Sequence, residues 1–168
     1  MFRIDVFGSR ELQAALLGVR GAEKAVQANI RKATKAIGMP EWKKAVAEQA
    51  ETRLEHRVLV DTARLSVSNQ NVRLSSASVG RALSGGLKPS ESYAAVEFGA
   101  NRQAKNTYTA TSSKGKTYSV TRRTRAQLRP QRRKGYAVYP AAQRMIPRFA
   151  ALWVQVVVKT FHDAIEGK

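Results

Sequence analysis

Between Phe98 and His162 the sequence contains no Asp and no Glu, while Lys and Arg recur throughout. The densest part spans residues 102–134 and carries Arg102, Lys105, Lys114, Lys116, Arg122, Arg123, Arg125, Arg129, Arg132, Arg133 and Lys134. Like charges repel, and the apolar residues there are too few to pay for ordering a separate core. The segment must therefore lie on a surface that meets something acidic. The chain has to build its core from what remains.

The charge is uneven as well as large. The formal net charge is +18 over 168 residues, and residues 98–168 hold 15 basic groups against 2 acidic ones. Such a balance speaks about partners and solubility, not about fold. The sequence has no Cys, which excludes disulfides, thiolate metal sites and Cys nucleophiles and fits a reducing compartment. Met1–Gly8 is short and contains Asp5, so no signal peptide is expected. The C-terminal apolar run falls far below the roughly 20 residues that span a bilayer. The expectation is a protein with no membrane contact, made in the cytosol.

Apolar spacing predicts the elements. Phe2-Arg3-Ile4-Asp5-Val6-Phe7 alternates as a strand does, and Gly8 ends it. Ser9 is the expected N-cap of a short helix with Leu12, Leu16 and Leu17 on one face, broken by Gly18 and Gly21. From Ala22 a 3.6-residue stripe runs through Val26, Ile30, Ile37, Trp42, Val46 and Leu54. It predicts one long helix bent at Pro40, or two in line, over residues 22–58. Leu65, Val67, Val72 and Leu74 around Asn69-Gln70-Asn71 predict a β-hairpin. Tyr93-Ala94-Ala95-Val96-Glu97-Phe98 is expected to be a strand ending at Gly99. Residues 108–111 and 117–121 predict a second, projecting hairpin around Lys114-Gly115. Residues 122–135 are expected as loop and Tyr136–Tyr139 as a last short strand. A C-terminal helix follows, regular from Pro147, with Met145, Phe149, Trp153, Val157 and Phe161 on its apolar face. The fold class is α+β. It comprises N-terminal helices, a mostly antiparallel sheet and a C-terminal helix packed on it, in one domain of residues 1–168 with a basic arm at 100–135.

No catalytic constellation is visible. His56 beside Glu55 and His162 beside Asp163 are helix neighbours that do not face each other, and solvated positions are expected for both. No spacing of His and carboxylates suits a metal, so no metal and no cofactor is expected. Gly85-Gly86 is followed by Leu87-Lys88-Pro89 and lacks the Gly-Lys-Ser/Thr ending of a phosphate loop. Trp153 with Val156-Val157-Val158 is apolar on more than one side. Phe149, Trp153, Val157 and Phe161 are therefore candidates for burial against a neighbouring subunit. In the arm, Tyr108, Tyr118 and Tyr136 stand among the basic residues, a mixture that suits single-stranded nucleic acid and equally suits ordinary cross-strand packing.

Several segments in this order carry a family resemblance: Phe7-Gly8-Ser9-Arg10-Glu11-Leu12, then Ile30-Arg31-Lys32-Ala33, Asp61-Thr62-Ala63-Arg64-Leu65, Tyr93-Ala94-Ala95-Val96-Glu97-Phe98-Gly99 and Ile146-Pro147-Arg148-Phe149. Together they resemble the neck and tail-completion proteins of long-tailed bacteriophages, the group that includes minor tail protein Z. The chain departs from that pattern at Ala63, where Gly is usual, and in the order of Pro147 and Arg148. The resemblance implies a virion structural protein assembled in the host cytoplasm and no catalytic residues. It implies a homo-oligomeric ring, a hexamer by tail symmetry, at the head–tail neck. The implied partners are the head connector or head-closure protein and the tail terminator or tail tube protein, with non-specific contact to genomic DNA through the arm. A non-enzymatic, basic nucleic-acid-binding protein is the alternative.

Overall fold

Pairing and helical periodicity sort the described residues into five α-helices and two small antiparallel sheets, an α+β arrangement. The computed structural model describes residues 2–3, 10–123 and 127–166. The expected strand beyond Arg3, Gly8, the Ser9 cap and Arg125 lie outside these residues.

Strand β1 (Phe2–Arg3), β2 (Arg64–Val67) and β3 (Val72–Ser75) form one sheet in the order β1-β3-β2. The register sets Leu65 opposite Leu74 and Val67 opposite Val72, so one face is apolar. Ser66 and Arg73 are paired on the other face and stay exposed. The hairpin expected around Asn69-Gln70-Asn71 is thus present, closed by Ser68 N donating to Asn71 O at 2.9 Å.

Helix α1 (Arg10–Gly21) runs through Gly18 and buries Leu12, Ala15 and Val19. Leu17, expected on the buried face, is exposed. Helix α2 (Lys24–Ala47) continues through Pro40 without a break. Pro40 stands on the exposed side, where a carbonyl left without its donor can reach water. The long helix ends earlier than its apolar stripe suggests. Thr52 starts a new helix with a capping box: its side chain accepts from Glu55 N, and Glu55 Oε2 accepts from Thr52 N. That helix, α3 (Arg53–Glu55), passes into a π-helical turn at His56–Val60.

One expected strand is helical throughout and another in its second half. Residues 93–98 belong to α4 (Pro89–Phe98). Pro89 begins it and Gly99 terminates it at φ 72°, an arrangement that favours helix over the strand read from Val96 and Phe98. Val138 and Tyr139 open α5 (Val138–Ile165), so the last helix begins nine residues before Pro147. The cause is a carboxylate. Glu97 Oε2 accepts from Ala137 N at 3.2 Å and Val138 N at 2.9 Å, and Oε1 accepts from Tyr139 N at 2.9 Å. Negative charge at the first turn of a helix satisfies amides that have no partner inside it.

The core lies between α2, α5 and the apolar face of the β1-β3-β2 sheet, around Trp42, Val46, Leu65, Leu74, Phe149 and Trp153. Gly38 marks where they converge. A Cβ there would sit 2.8 Å from the Phe149 ring and 2.9 Å from Leu65, so only glycine lets α5 and the sheet close onto α2.

Candidate docking arm

Among the described residues, strands β4 (Lys105–Thr111) and β5 (Thr117–Arg123) pair only with each other. β-Branched threonines and tyrosines favour the extended chain. The turn is built by Ser112 and Gly115. Gly115 N donates to Ser112 O at 2.9 Å, Lys116 N donates to Ser112 Oγ at 3.1 Å, and Gly115 takes φ 77°. The ribbon is exposed on both faces; only Ala110 and Val120 among its strand residues are half-buried.

The register gives the two faces different chemistry. Lys105, Thr107, Thr109 and Thr111 oppose Arg123, Thr121, Ser119 and Thr117. This face is made of hydroxyls ending in a basic pair, with Thr107 and Thr121 hydroxyls 2.9 Å apart. The other face pairs Asn106 with Arg122, Tyr108 with Val120 and Ala110 with Tyr118. Arg122 lies 5.7 Å from the centre of the Tyr108 ring. An isolated two-stranded ribbon is marginal in water, so its form depends on this cross-strand packing.

The root of the arm is closed. Ala100 N donates to Arg129 O at 2.9 Å, and Arg132 N donates to Phe98 O at 2.7 Å. Tyr136 Oη donates to Pro130 O at 2.7 Å, and Arg102 Nε donates to Leu128 O at 2.8 Å. Gly99 is required here: a Cβ would overlap the Arg129 and Pro130 carbonyls.

Arg129 was expected to face a partner, but it is an internal brace. Its guanidinium contacts Glu51 and lies 3.4 Å from the buried Glu55. It stacks 4.1 Å from the centre of the Tyr136 ring. Arg132 reaches the same ring at 5.3 Å but remains exposed, as do Arg133 and Lys134. Lys105, Lys114, Lys116, Arg122 and Arg123 extend the exposed basic surface along the ribbon, with Arg102 at its base. Arg125 lies outside the described residues.

The apolar candidates divide. Phe149, Trp153 and Val157 are 1%, 2% and 3% exposed, so this subunit's own core covers them and they offer no outward surface. Phe161 is half-buried, 3.5 Å from the point a Cβ on Gly18 would occupy. It borders an apolar cleft of about 590 Å³ between α1 and α5. The outward aliphatic residues among those described are Val158 and Ile165 on α5, Leu17 on α1 and Ile37 on α2; Leu17 and Ile37 stand in the stripes expected to face the core, whereas Val158 lies on the side of the last helix expected to be apolar beyond the core face.

His56 is exposed, and His162 is exposed with Nε2 3.3 Å from Glu166. Among the described residues no group of three His or carboxylates is placed to hold a metal ion, and no helix is long and apolar enough to cross a membrane. The roles of Glu55 and Glu97 were missed in the sequence. Thr52-x-x-Glu55 is a legible capping box. Glu97 capping a helix 40 residues away has no local signature. No protein-family model, no curated protein and no solved structure matches the chain.

Proposed function

We propose that this chain is a structural protein of the neck of a long-tailed bacteriophage, assembling as a homo-oligomeric ring that completes the tail and joins it to the head. The observation that carries the reading is the ribbon at Lys105–Arg123, which is basic, exposed on both faces and closed off from the core at its root. An arm of this form acts by being covered by a neighbour. The segment order that resembles neck and tail-completion proteins supports the same reading, with residues 93–98 helical. The α1–α5 cleft and exposed Val158 and Ile165 supply apolar surface elsewhere on the subunit.

The chemistry is assembly without catalysis. Exposed ion pairs contribute about 0–1 kcal/mol each, so the arm holds an acidic neighbour through many pairs, and attachment weakens with salt over a Debye length of about 8 Å. The decisive experiment replaces Arg122, Arg123, Arg132 and Arg133 together with Gln. The subunit is expected to fold, with head–tail joining lost and His56→Ala and His162→Ala variants assembling normally.

One observation favours a second reading, a nucleic-acid-binding protein: Tyr108 and Tyr118 lie on one face with Arg122, which suits base stacking beside phosphate contacts. A mobility-shift titration at two salt concentrations separates the two. Tight DNA binding by the isolated subunit with a steep salt slope, together with normal assembly of the four-Gln variant, would reverse the ranking.

A further inference from the structure

Away from the arm, the outer face of the first sheet borders a cleft of about 550 Å³. Its walls are Ser66 and Arg73, paired across β2 and β3, then Ser75, Ser76 and Ser78 as β3 ends, and Ser90 and Tyr93 from α4. No carboxylate lines it. Arg73 is exposed and makes no ion pair among the described residues, and the Ser66, Ser78 and Ser90 hydroxyls make no hydrogen bond among them. Ala77, between two of the serines, has φ 54°, an uncommon conformation for a residue with a Cβ. It is fixed by its N–H donating to Thr62 Oγ1 at 2.8 Å. The bend carries the chain along the cleft so that Ser76 and Ser78 both line it.

Tyr93 adds a hydroxyl that stays protonated: burial, then Tyr139 and Glu97, raise its pKa well above the usual tyrosine value.

We infer that this cleft binds a phosphoryl group, with Arg73 as the charged fork and the Ser66, Ser78 and Ser90 hydroxyls as additional donors. Guanidinium nitrogens match phosphate oxygens in pairs, and hydroxyls complete a tetrahedral anion's remaining acceptors. The volume accommodates a phosphate together with an attached group of nucleotide size. The site is separate from the arm and does not depend on the neck-protein reading. The phosphoryl group has two sources, a free phosphorylated small molecule or the backbone of a nucleic acid strand.

Isothermal titration of the full chain with inorganic phosphate tests this, with chloride at matched ionic strength as the control for a chain this basic. The expected result is saturable binding of one phosphate per chain, absent with chloride. It should weaken at least about tenfold in Arg73→Gln and remain in Arg133→Gln, an equally exposed arginine on the arm. Circular dichroism checks the fold of Arg73→Gln; should it fail to fold, Ser66→Ala/Ser90→Ala takes its place with the same expected loss. A short oligothymidylate that displaces phosphate assigns the site to a strand backbone, and one that does not assigns it to free phosphoryl compounds. Three results would overturn the inference: no saturable phosphate binding, an equal response to chloride, or equal weakening in Arg73→Gln and Arg133→Gln.

Discussion

Glu97 is fully buried, yet both of its oxygens are occupied by backbone amides at the start of α5. Removing the carboxylate strands three amides, each costing about 1–3 kcal/mol when buried without a partner. Glu97→Ala is therefore expected to lower the unfolding free energy by about 3 kcal/mol or more, with Glu97→Gln milder, as read from urea denaturation midpoints. Gly135 belongs to the same arrangement, because its φ of 69° and the closeness of Glu97 leave no room for a Cβ. Tyr93 gives a pH signature. Its folded pKa is raised, by burial first, so its contribution is complete below the unfolded value near 10 and fades as pH climbs from there through the folded value. Stability should fall with rising pH above about 10, and the fall should be shallower in Tyr93→Phe when melts of the two are compared across that range.

Among the described elements, α5 buries the most residues. Trp153→Ala should cost the isolated subunit about 3–5 kcal/mol, because the ring is covered by its own chain; equal melting of variant and parent would place the helix elsewhere. The loop that returns from the arm is braced by one arginine. Arg129→Ala should cost about 2–3 kcal/mol, less than a fully buried pair because Glu51 is exposed, whereas Arg132→Ala should change the denaturation midpoint little. Both arginines look alike in the sequence. What separates them is Glu55, 74 positions away and turned inward by Thr52. The same distinction governs what was legible at all. Both hairpins were readable because turn chemistry and strand pairing are local: Ser68 to Asn71 in one and Ser112 to Lys116 in the other. The helices at α4 and at the start of α5 were not, since residues 93–98 and 136–139 are too short for a period to decide. Pro89 and Gly99 marked the first only in combination, and Glu97 settled the second through a contact that spacing does not show. The basic arm was legible from charge alone. The serine-lined cleft was invisible because it gathers residues from β2, β3 and α4.

For the whole molecule, the division is between a packed body and a ribbon joined to it by a narrow root. Lys105 and Arg123 are directly paired, so the strands leave and return within about 5.5 Å, a gap a short linker spans. Replacing residues 105–123 with a few Gly and Ser is expected to keep the melting temperature of the body within a few degrees and to abolish attachment to partners. Differential scanning calorimetry reads the first, and a particle assembly assay the second. A large drop in melting temperature would mean the ribbon supports the core. The closed root has a further meaning for how such a chain can change over time. Because the cross-links between 98–100 and 129–132 fix both ends, the segment beyond them is a loop of adjustable length, and lengthening a loop adds only about 0.6 kcal/mol of closure entropy per doubling. Insertions, deletions and wholesale exchange of the arm then leave the body's stability almost untouched, so the surface proposed to choose a partner can diverge quickly while the scaffold that presents it stays the same.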